Sequence, residues 1–170
     1  MQWVLRILGV LLTALIQGAL IPALHLAYAP DVMLCLVIAV TLTAGGARGF
    51  WAALGGGMIV DLLAGPFLGH AAAGYLLSCA ATLGAARLVD RERVWLAVAL
   101  ALALAPACEL LQSVYAFVEG MRVSFAAVVK LDLLPTAMCN ALWMAISYPV
   151  VRGIARTRWM QRDRRMEFWG

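Results

Sequence analysis

Six apolar runs divide this chain, and most of them approach the roughly 20 residues that a helix needs to cross a bilayer. Hydrophobic residues make up 65% of the 170 residues and charged residues 13%, which is more apolar surface than a soluble domain buries. A bilayer solvates such surface, so the sequence predicts an all-α integral membrane protein. The predicted spans cover residues 3–24, 31–43, 49–64, 68–86, 94–117 and 130–151.

The first two runs each allow a second interpretation. Run 31–43 is short, so five crossings with this segment re-entrant is the alternative to six. In the first run, Arg6 and the small residues at 27–29 also fit a signal peptide. That run is longer than a usual signal core, and Pro30 directly after the cut disfavours cleavage, so we expect the first span to be retained.

Basic residues predict the orientation. The even-numbered loops and the two termini hold 11 of the 13 lysines and arginines, whereas the odd-numbered loops and their flanks hold Arg122 and Lys130. Because cytoplasmic loops carry the excess of basic residues, we expect a bundle of six transmembrane helices with both termini in the cytoplasm. The domains are then a transmembrane domain, 1–151, and a basic cytoplasmic tail, 152–170. The tail is expected to contact anionic lipids, and docking of a partner is the alternative role.

Residues 55–70 combine a carboxylate, Asp61, with dense glycine. Nine of the chain's 15 glycines lie between Gly45 and Gly74, and glycine lets helix backbones approach closely. The turn at Gly65-Pro66 would reverse the chain after the third span. Five residues are expected to pack helices together: Ala14, Gly18, Gly55, Gly56 and Gly57. Ala14 and Gly18 form a small-x-x-x-small pair in the first span, which suits a partner helix.

Five polar residues are expected at one depth in the outer half of the membrane: Asp61, Glu109, Gln112, Lys130 and Asp132. Asn140 lies near the middle of the sixth span. In the favoured interpretation this cluster is a bonded network, in which Asp61 caps free amides around residues 68–70 and Lys130 neutralises a carboxylate. A ligand pocket open to the outside and a proton or ion path are the alternatives.

Catalytic motifs are missing from the sequence, and we expect neither an enzyme nor a cofactor, a metal site or nucleic-acid binding. His25 and His70 are expected at loop edges as interfacial side chains. The four cysteines have no C-x-x-C spacing and are interpreted as small packing residues; they are Cys35, Cys79, Cys108 and Cys139.

The order of these features resembles the MreD family of bacterial cell-shape proteins. The matching pieces are Ala29-Pro30-Asp31, Asp61-Leu62-Leu63, the turn from Gly65 to His70, Tyr75, and LPTAMCNALW at 134–143. The candidates for structural or partner-binding roles are Pro30, Asp31, Asp61, Gly65, Gly69, Glu109, Lys130, Asp132 and Asn140.

The resemblance implies a non-enzymatic scaffold of the peptidoglycan elongation complex in the bacterial cytoplasmic (inner) membrane. The partners it implies are MreC directly, and MreB, RodA and a class B penicillin-binding transpeptidase through the complex. The family fold is similar to the substrate-binding component of energy-coupling-factor transporters, so a small-molecule or vitamin-binding subunit is the alternative. Such a pocket would have few polar residues, because loop three offers His70 and loop one offers His25, Tyr28 and Asp31.

Overall fold

The computed structural model describes residues 2–20, 29–64, 69–89 and 93–166, with side chains within 8–19, 29–63, 69–89, 93–129 and 132–155. These residues form six main helices and no strand, so the all-α prediction is confirmed. Two predicted features, His25 and the Gly65-Pro66 turn, lie outside the described residues. The helices are α1 (Gln2–Leu15, continued by a π-helical turn Ile16–Leu20), α2 (Val32–Ala44), α3 (Gly46–Ala64), α4 (His70–Leu88), α5 (Val94–Val118) and α6 (Leu133–Met166).

Three helical segments are long and apolar enough to cross a membrane: His70–Leu88, Val94–Val118 and Leu133–Ala155. Leu8–Ala19 and Val32–Ala44 are apolar but shorter. Large apolar side chains are exposed on the outside of the bundle, with Ile146 69% and Leu62 66% accessible. Such a surface suits lipid rather than water. The chain is therefore a membrane protein, and the count of six crossings stays a prediction.

Helix α2 lies at the centre of the bundle, where it contacts α1, α3, α4, α5 and α6. Eight of its 13 residues are buried. Its own side chains are apolar on nearly every face, which is the pattern of a helix enclosed by other helices. At 1.5 Å per residue α2 is about 20 Å long, shorter than the roughly 30 Å hydrocarbon core. Its terminal amides therefore need partners from the protein itself.

The turn between α2 and α3 is a single residue, Gly45, with φ of 92°. That left-handed conformation favours glycine, because a side chain would be strained there. The tight turn explains why α3 begins at Gly46, three residues before the predicted start of the third span. It also holds α2 and α3 side by side.

Helix α6 is longer than the sequence predicts, since it continues past residue 151 to Met166. Pro149 lies inside it without ending it. Arginine is a good helix former, so the rise in charge after Val151 does not stop the helix. The first part of the basic tail is therefore an extension of α6. A short helix, Phe125–Ala127, and a π-helical turn, Val128–Asp132, connect α5 to α6.

Candidate functional site

Asp61 lies in the last turn of α3, and its carboxylate is fully buried. It accepts hydrogen bonds from the backbone N–H groups of Gly69 (3.0 Å), Ala71 (2.9 Å) and Ala72 (3.2 Å). The first turn of any helix leaves such N–H groups without partners, and a carboxylate there also suits the positive end of the helix dipole. The capping interpretation predicts bonds to amides around residues 68–70, and the amides that Asp61 binds are those of residues 69, 71 and 72.

His70 is the first residue of α4, and its Nδ1 lies 2.9 Å from Oδ1 of Asp61. Sequence reasoning placed His70 as an interfacial side chain at a loop edge, and it missed this contact. The cause is local geometry. Because α4 begins against the end of α3, its first side chain meets the carboxylate that caps it.

Asp31 performs the same task at the start of α2. Its Oδ1 accepts from the N–H of Leu34 (2.9 Å), and its two oxygens lie 3.0 and 3.1 Å from the Tyr75 hydroxyl, which donates from α4. A charged acceptor with a buried donor is among the stronger hydrogen bonds in a protein. Asp31 therefore both caps the central helix and ties it to α4.

Side chains from two further helical segments bind backbone N–H groups at the N-terminus of α2. The Asp31 N–H donates to Oδ1 of Asn140 in α6 (2.8 Å), and the Val32 N–H donates to Oε1 of Gln17 after α1 (2.9 Å). Asn140 is fully buried, and its Nδ2 donates to the Thr136 carbonyl (2.9 Å). The amides that a short central helix leaves free are thus bound by side chains of Asp31 itself, of α6 and of the turn after α1.

A cavity of about 290 Å³ opens where α4 begins and α5 ends. Its polar lining is His70, Glu109, Gln112, Ser113 and Tyr115. Glu109 and Gln112 are three residues apart in α5 and share a face, as the sequence predicts. The His70 and Tyr115 rings are 6.3 Å apart between centroids, at an angle of 36°.

Four of the five residues predicted at one depth have described side chains, and these four are not joined in one bonded network. Asp61 is bound by α4 amides, whereas Glu109 and Gln112 line the cavity. Asp132 is exposed in the π-helical turn before α6. The side chain of Lys130 lies outside the described side chains, so its pairing with a carboxylate stays a prediction.

The predicted packing residues differ in what they contact. A Cβ on Gly57 would meet the backbone of Ala72 in α4, and a Cβ on Gly56 would meet the Met33 side chain in α2. Among the described residues, a Cβ on Gly55 would meet no atom within 4 Å, so this face of α3 is open to them. In α1, Ala14 is fully buried in the core, and a Cβ on Gly18 would meet the Leu63 side chain. Ala14 and Gly18 therefore pack inside this chain, not against a partner helix as the sequence suggested.

The remaining candidates lie at helix starts. Pro30 is half-buried directly before Asp31. Gly69 has φ of 100° and precedes α4, where a side chain would be strained in the conformation that presents its N–H to Asp61. Gly65 lies outside the described residues.

The four cysteines are free thiols, and three of them are buried. Cys35 lies 3.5 Å from Oδ1 of Asn140, and Cys108 lies 3.2 Å from the Ser78 hydroxyl. These are weak polar contacts of packed side chains. Among the described residues, no group of three or more His, Cys, Asp or Glu side chains is arranged to hold a metal ion.

Sequence reasoning missed Gln17 and gave Tyr75 no role beyond the family resemblance. Each is a polar residue inside an apolar run, and that signal alone could have marked both as partners for buried amides or carboxylates. Which group each one binds depends on how the helices are arranged in space.

Comparison with known proteins agrees with the helical, membrane-embedded character of the chain. Residues 1–158 match the protein family described as rod shape-determining protein MreD. No curated protein and no solved structure matches the chain. Because the family match extends over nearly the whole chain, including Asp31, Asp61 and Asn140, the chain belongs to the MreD family of rod shape-determining membrane proteins.

Proposed function

We propose that this protein is a non-enzymatic scaffold of the peptidoglycan elongation complex in the bacterial cytoplasmic membrane. The observation that carries this proposal is the match of residues 1–158 to the rod shape-determining family. The hydrogen bonds of Asp31 and Asp61 support a structural role for both carboxylates, because their oxygens accept from groups of this chain. In this role the protein binds MreC directly, and reaches MreB, RodA and a class B penicillin-binding transpeptidase through the complex.

In the proposed topology six helices cross the membrane and both termini are cytoplasmic. Three helices of sufficient length and the placement of 11 of the 13 basic residues support it. Residues 1–151 are the transmembrane domain in this arrangement, and the basic tail, 152–170, contacts anionic lipids of the inner leaflet.

Depletion of the protein in a rod-shaped host tests the scaffold role. We expect cells to become round while vitamin uptake is unaltered. Cells that stay rod-shaped but lose uptake of a vitamin would exclude the scaffold and support a transporter subunit instead.

Co-purification tests the direct partner. An affinity-tagged form of this protein, solubilised in mild detergent, should retain MreC without MreB, RodA or the transpeptidase present. Recovery of MreC only when those proteins are also present would show that the contact is indirect.

The second candidate function is a small-molecule-binding subunit of a transporter. The cavity at the junction of α4 and α5, with Glu109 and Gln112 in its wall, favours this function over a proton or ion path. Its volume of about 290 Å³ is at the small end of the usual range for ligand pockets. Cell shape and vitamin uptake after depletion separate the two functions.

A further inference from the structure

The cavity at the junction of α4 and α5 has a lining that the capping of α2 and α4 does not explain. Glu109, Gln112 and Ser113 lie within two turns of α5, and the Tyr115 and His70 rings also line the cavity. Glu109 is half-buried, so it keeps access to the cavity. A carboxylate in such a position is costly unless a cation or a hydrogen-bond donor meets it.

The charges near the cavity favour a cation. Glu109 is the acidic side chain among the lining residues, and the described lining includes no lysine or arginine. Arg122 is exposed, and among the described residues of that connection its neighbours Met121 and Val123, not Arg122, line the cavity. A positively charged group in the cavity would therefore be attracted by the Glu109 carboxylate.

The shape of the lining selects among cations. A primary ammonium group donates three hydrogen bonds, and the side-chain oxygens of Glu109, Gln112 and Ser113 are acceptors in the lining. The face of a tyrosine ring attracts an ammonium group through its quadrupole, and Tyr115 also lines the cavity. A bare metal ion would instead need three or more ligating side chains, and the described residues hold no such group.

Location identifies the source of the ammonium group. The cavity extends from Glu109, inside α5, to Met121 and Val123, just after this helix ends. Because α5 is long enough to cross a bilayer, this end of the cavity reaches the level of lipid headgroups. Its volume of about 290 Å³ holds roughly ten groups the size of a water molecule, which matches a small headgroup. Beside it α5 exposes Phe117 (57%) and Val118 (77%), apolar surface on which an acyl chain can lie.

We propose that this cavity binds the primary ammonium headgroup of a zwitterionic phospholipid of the phosphatidylethanolamine type. Glu109 holds the ammonium group, and the Tyr115 and His70 rings flank it. The lipid then fills a gap between α4 and α5 that the side chains of this chain leave open. Such a lipid would remain bound when the protein is extracted in mild detergent.

Native mass spectrometry of the full-length protein in mild detergent tests this proposal. The probes are phosphatidylethanolamine and phosphatidylglycerol with the same acyl chains, added at equal concentration. We expect the wild-type protein to retain phosphatidylethanolamine about tenfold better. Glu109→Gln should abolish the preference. Glu119→Gln is the matched control, because Glu119 is an exposed carboxylate at the end of the same helix and does not line the cavity, and it should keep the preference.

A second variant guards against misfolding of the first. Tyr115→Leu removes one ring but no charge, and it should weaken the preference severalfold while the protein elutes as wild type on size exclusion. Displacement of the lipid by free ethanolamine at millimolar concentration would support the ammonium site and assign it to a soluble amine. Equal retention of both lipids by the wild-type protein, or a preference that survives Glu109→Gln, would overturn the proposal.

Discussion

At the scale of single residues, the polar side chains of this bundle serve mostly to bind backbone amides at helix starts. Asp61 accepts from three N–H groups of α4 and the residue before it, and Asp31 caps α2 while it accepts from Tyr75. No water reaches such amides in a bilayer, so each one left unbound lowers the stability of the fold. The two carboxylates are therefore structural elements, and their removal should be felt as loss of folded protein.

Substitution of Asp61 should follow a graded order. Each carboxylate oxygen of Asp61 accepts at least one backbone N–H. In Asp61→Asn the side-chain oxygen still accepts, but the side-chain NH2 group is a donor and faces a backbone N–H that has lost its acceptor. Asp61→Leu loses both acceptors. We expect the free energy of unfolding to fall by about 1–3 kcal/mol for each amide left unbound, so that Asn is intermediate and Leu is worst.

The melting temperature of the protein in detergent measures this order, with Asp132→Asn as the control because Asp132 is exposed. Equal losses for Asn and Leu would mean that the charge of Asp61 is needed, rather than its oxygens.

Tyr75→Phe removes the hydroxyl that donates to Asp31 and leaves the ring in place. The expected loss is about 1.5–3 kcal/mol, the usual range for a hydrogen bond to a charged group. Tyr115→Phe, at a residue that is 40% exposed, should change stability by less than about 0.5 kcal/mol.

Combining Tyr75→Phe with Asp31→Asn should lower stability by less than the sum of the two single changes, since both affect one contact. Additive losses in the melting temperature would show that the two side chains act independently.

At the scale of helices, packing distance is set by where glycine faces a neighbour. Gly57 faces the backbone of Ala72, so α3 and α4 approach closely just below the Asp61 cap. Gly55, two residues earlier, faces open space. The sequence marks the glycine run as a packing surface, but each helical position points in a different direction, and α4 covers only part of that run.

These two glycines form a matched pair for mutation. Gly57→Ala places a methyl group against the Ala72 backbone, so α3 and α4 must separate and stability should fall by about 1–3 kcal/mol. Gly55→Ala meets no neighbour and replaces the poorer helix former, so it should leave stability equal or raise it by about 0.5–1 kcal/mol. Melting temperatures of the two variants in the same detergent decide the comparison. A loss of similar size in both would show that helix flexibility, not close contact, is what the glycines provide.

At the scale of the whole molecule, α2 organises the bundle. A helix of 13 residues contacts all five other main helices, and its N-terminus is bound by Gln17 after α1 and by Asn140 of α6. Because α2 is enclosed, its orientation determines which faces of the outer helices meet lipid.

Reporter fusions test the proposed topology of this bundle. Alkaline phosphatase fused after Gly120, between α5 and α6, should be active because that connection is expected outside the cytoplasm. Fusion after Val89, between α4 and α5, should be inactive, and green fluorescent protein at the C-terminus should fluoresce. An active phosphatase at both positions, or inactivity at Gly120 with activity at Val89, would contradict the arrangement with both termini inside.

The sequence by itself determined the class of protein, the approximate helices and the cap at Asp61. Each of these depends on local properties: the length of an apolar run, and a carboxylate ten residues before the amide of Ala71 that it binds. Helix ends were predicted within a few residues for α2, α4 and α5. The end of α6 was missed because arginines continue a helix as well as apolar residues do.

Tertiary structure alone decided the rest. The contacts of Asp31 with Tyr75 and Asn140 join residues 44 and 109 positions apart, and they depend on the order and rotation of packed helices. The same rotation separated Asp61 from Glu109, paired His70 with Asp61, and turned Ala14 and Gly18 toward the core. In apolar helices of this kind every face is nearly equivalent in composition, so the sequence carries little information about which face meets a neighbour and which meets lipid.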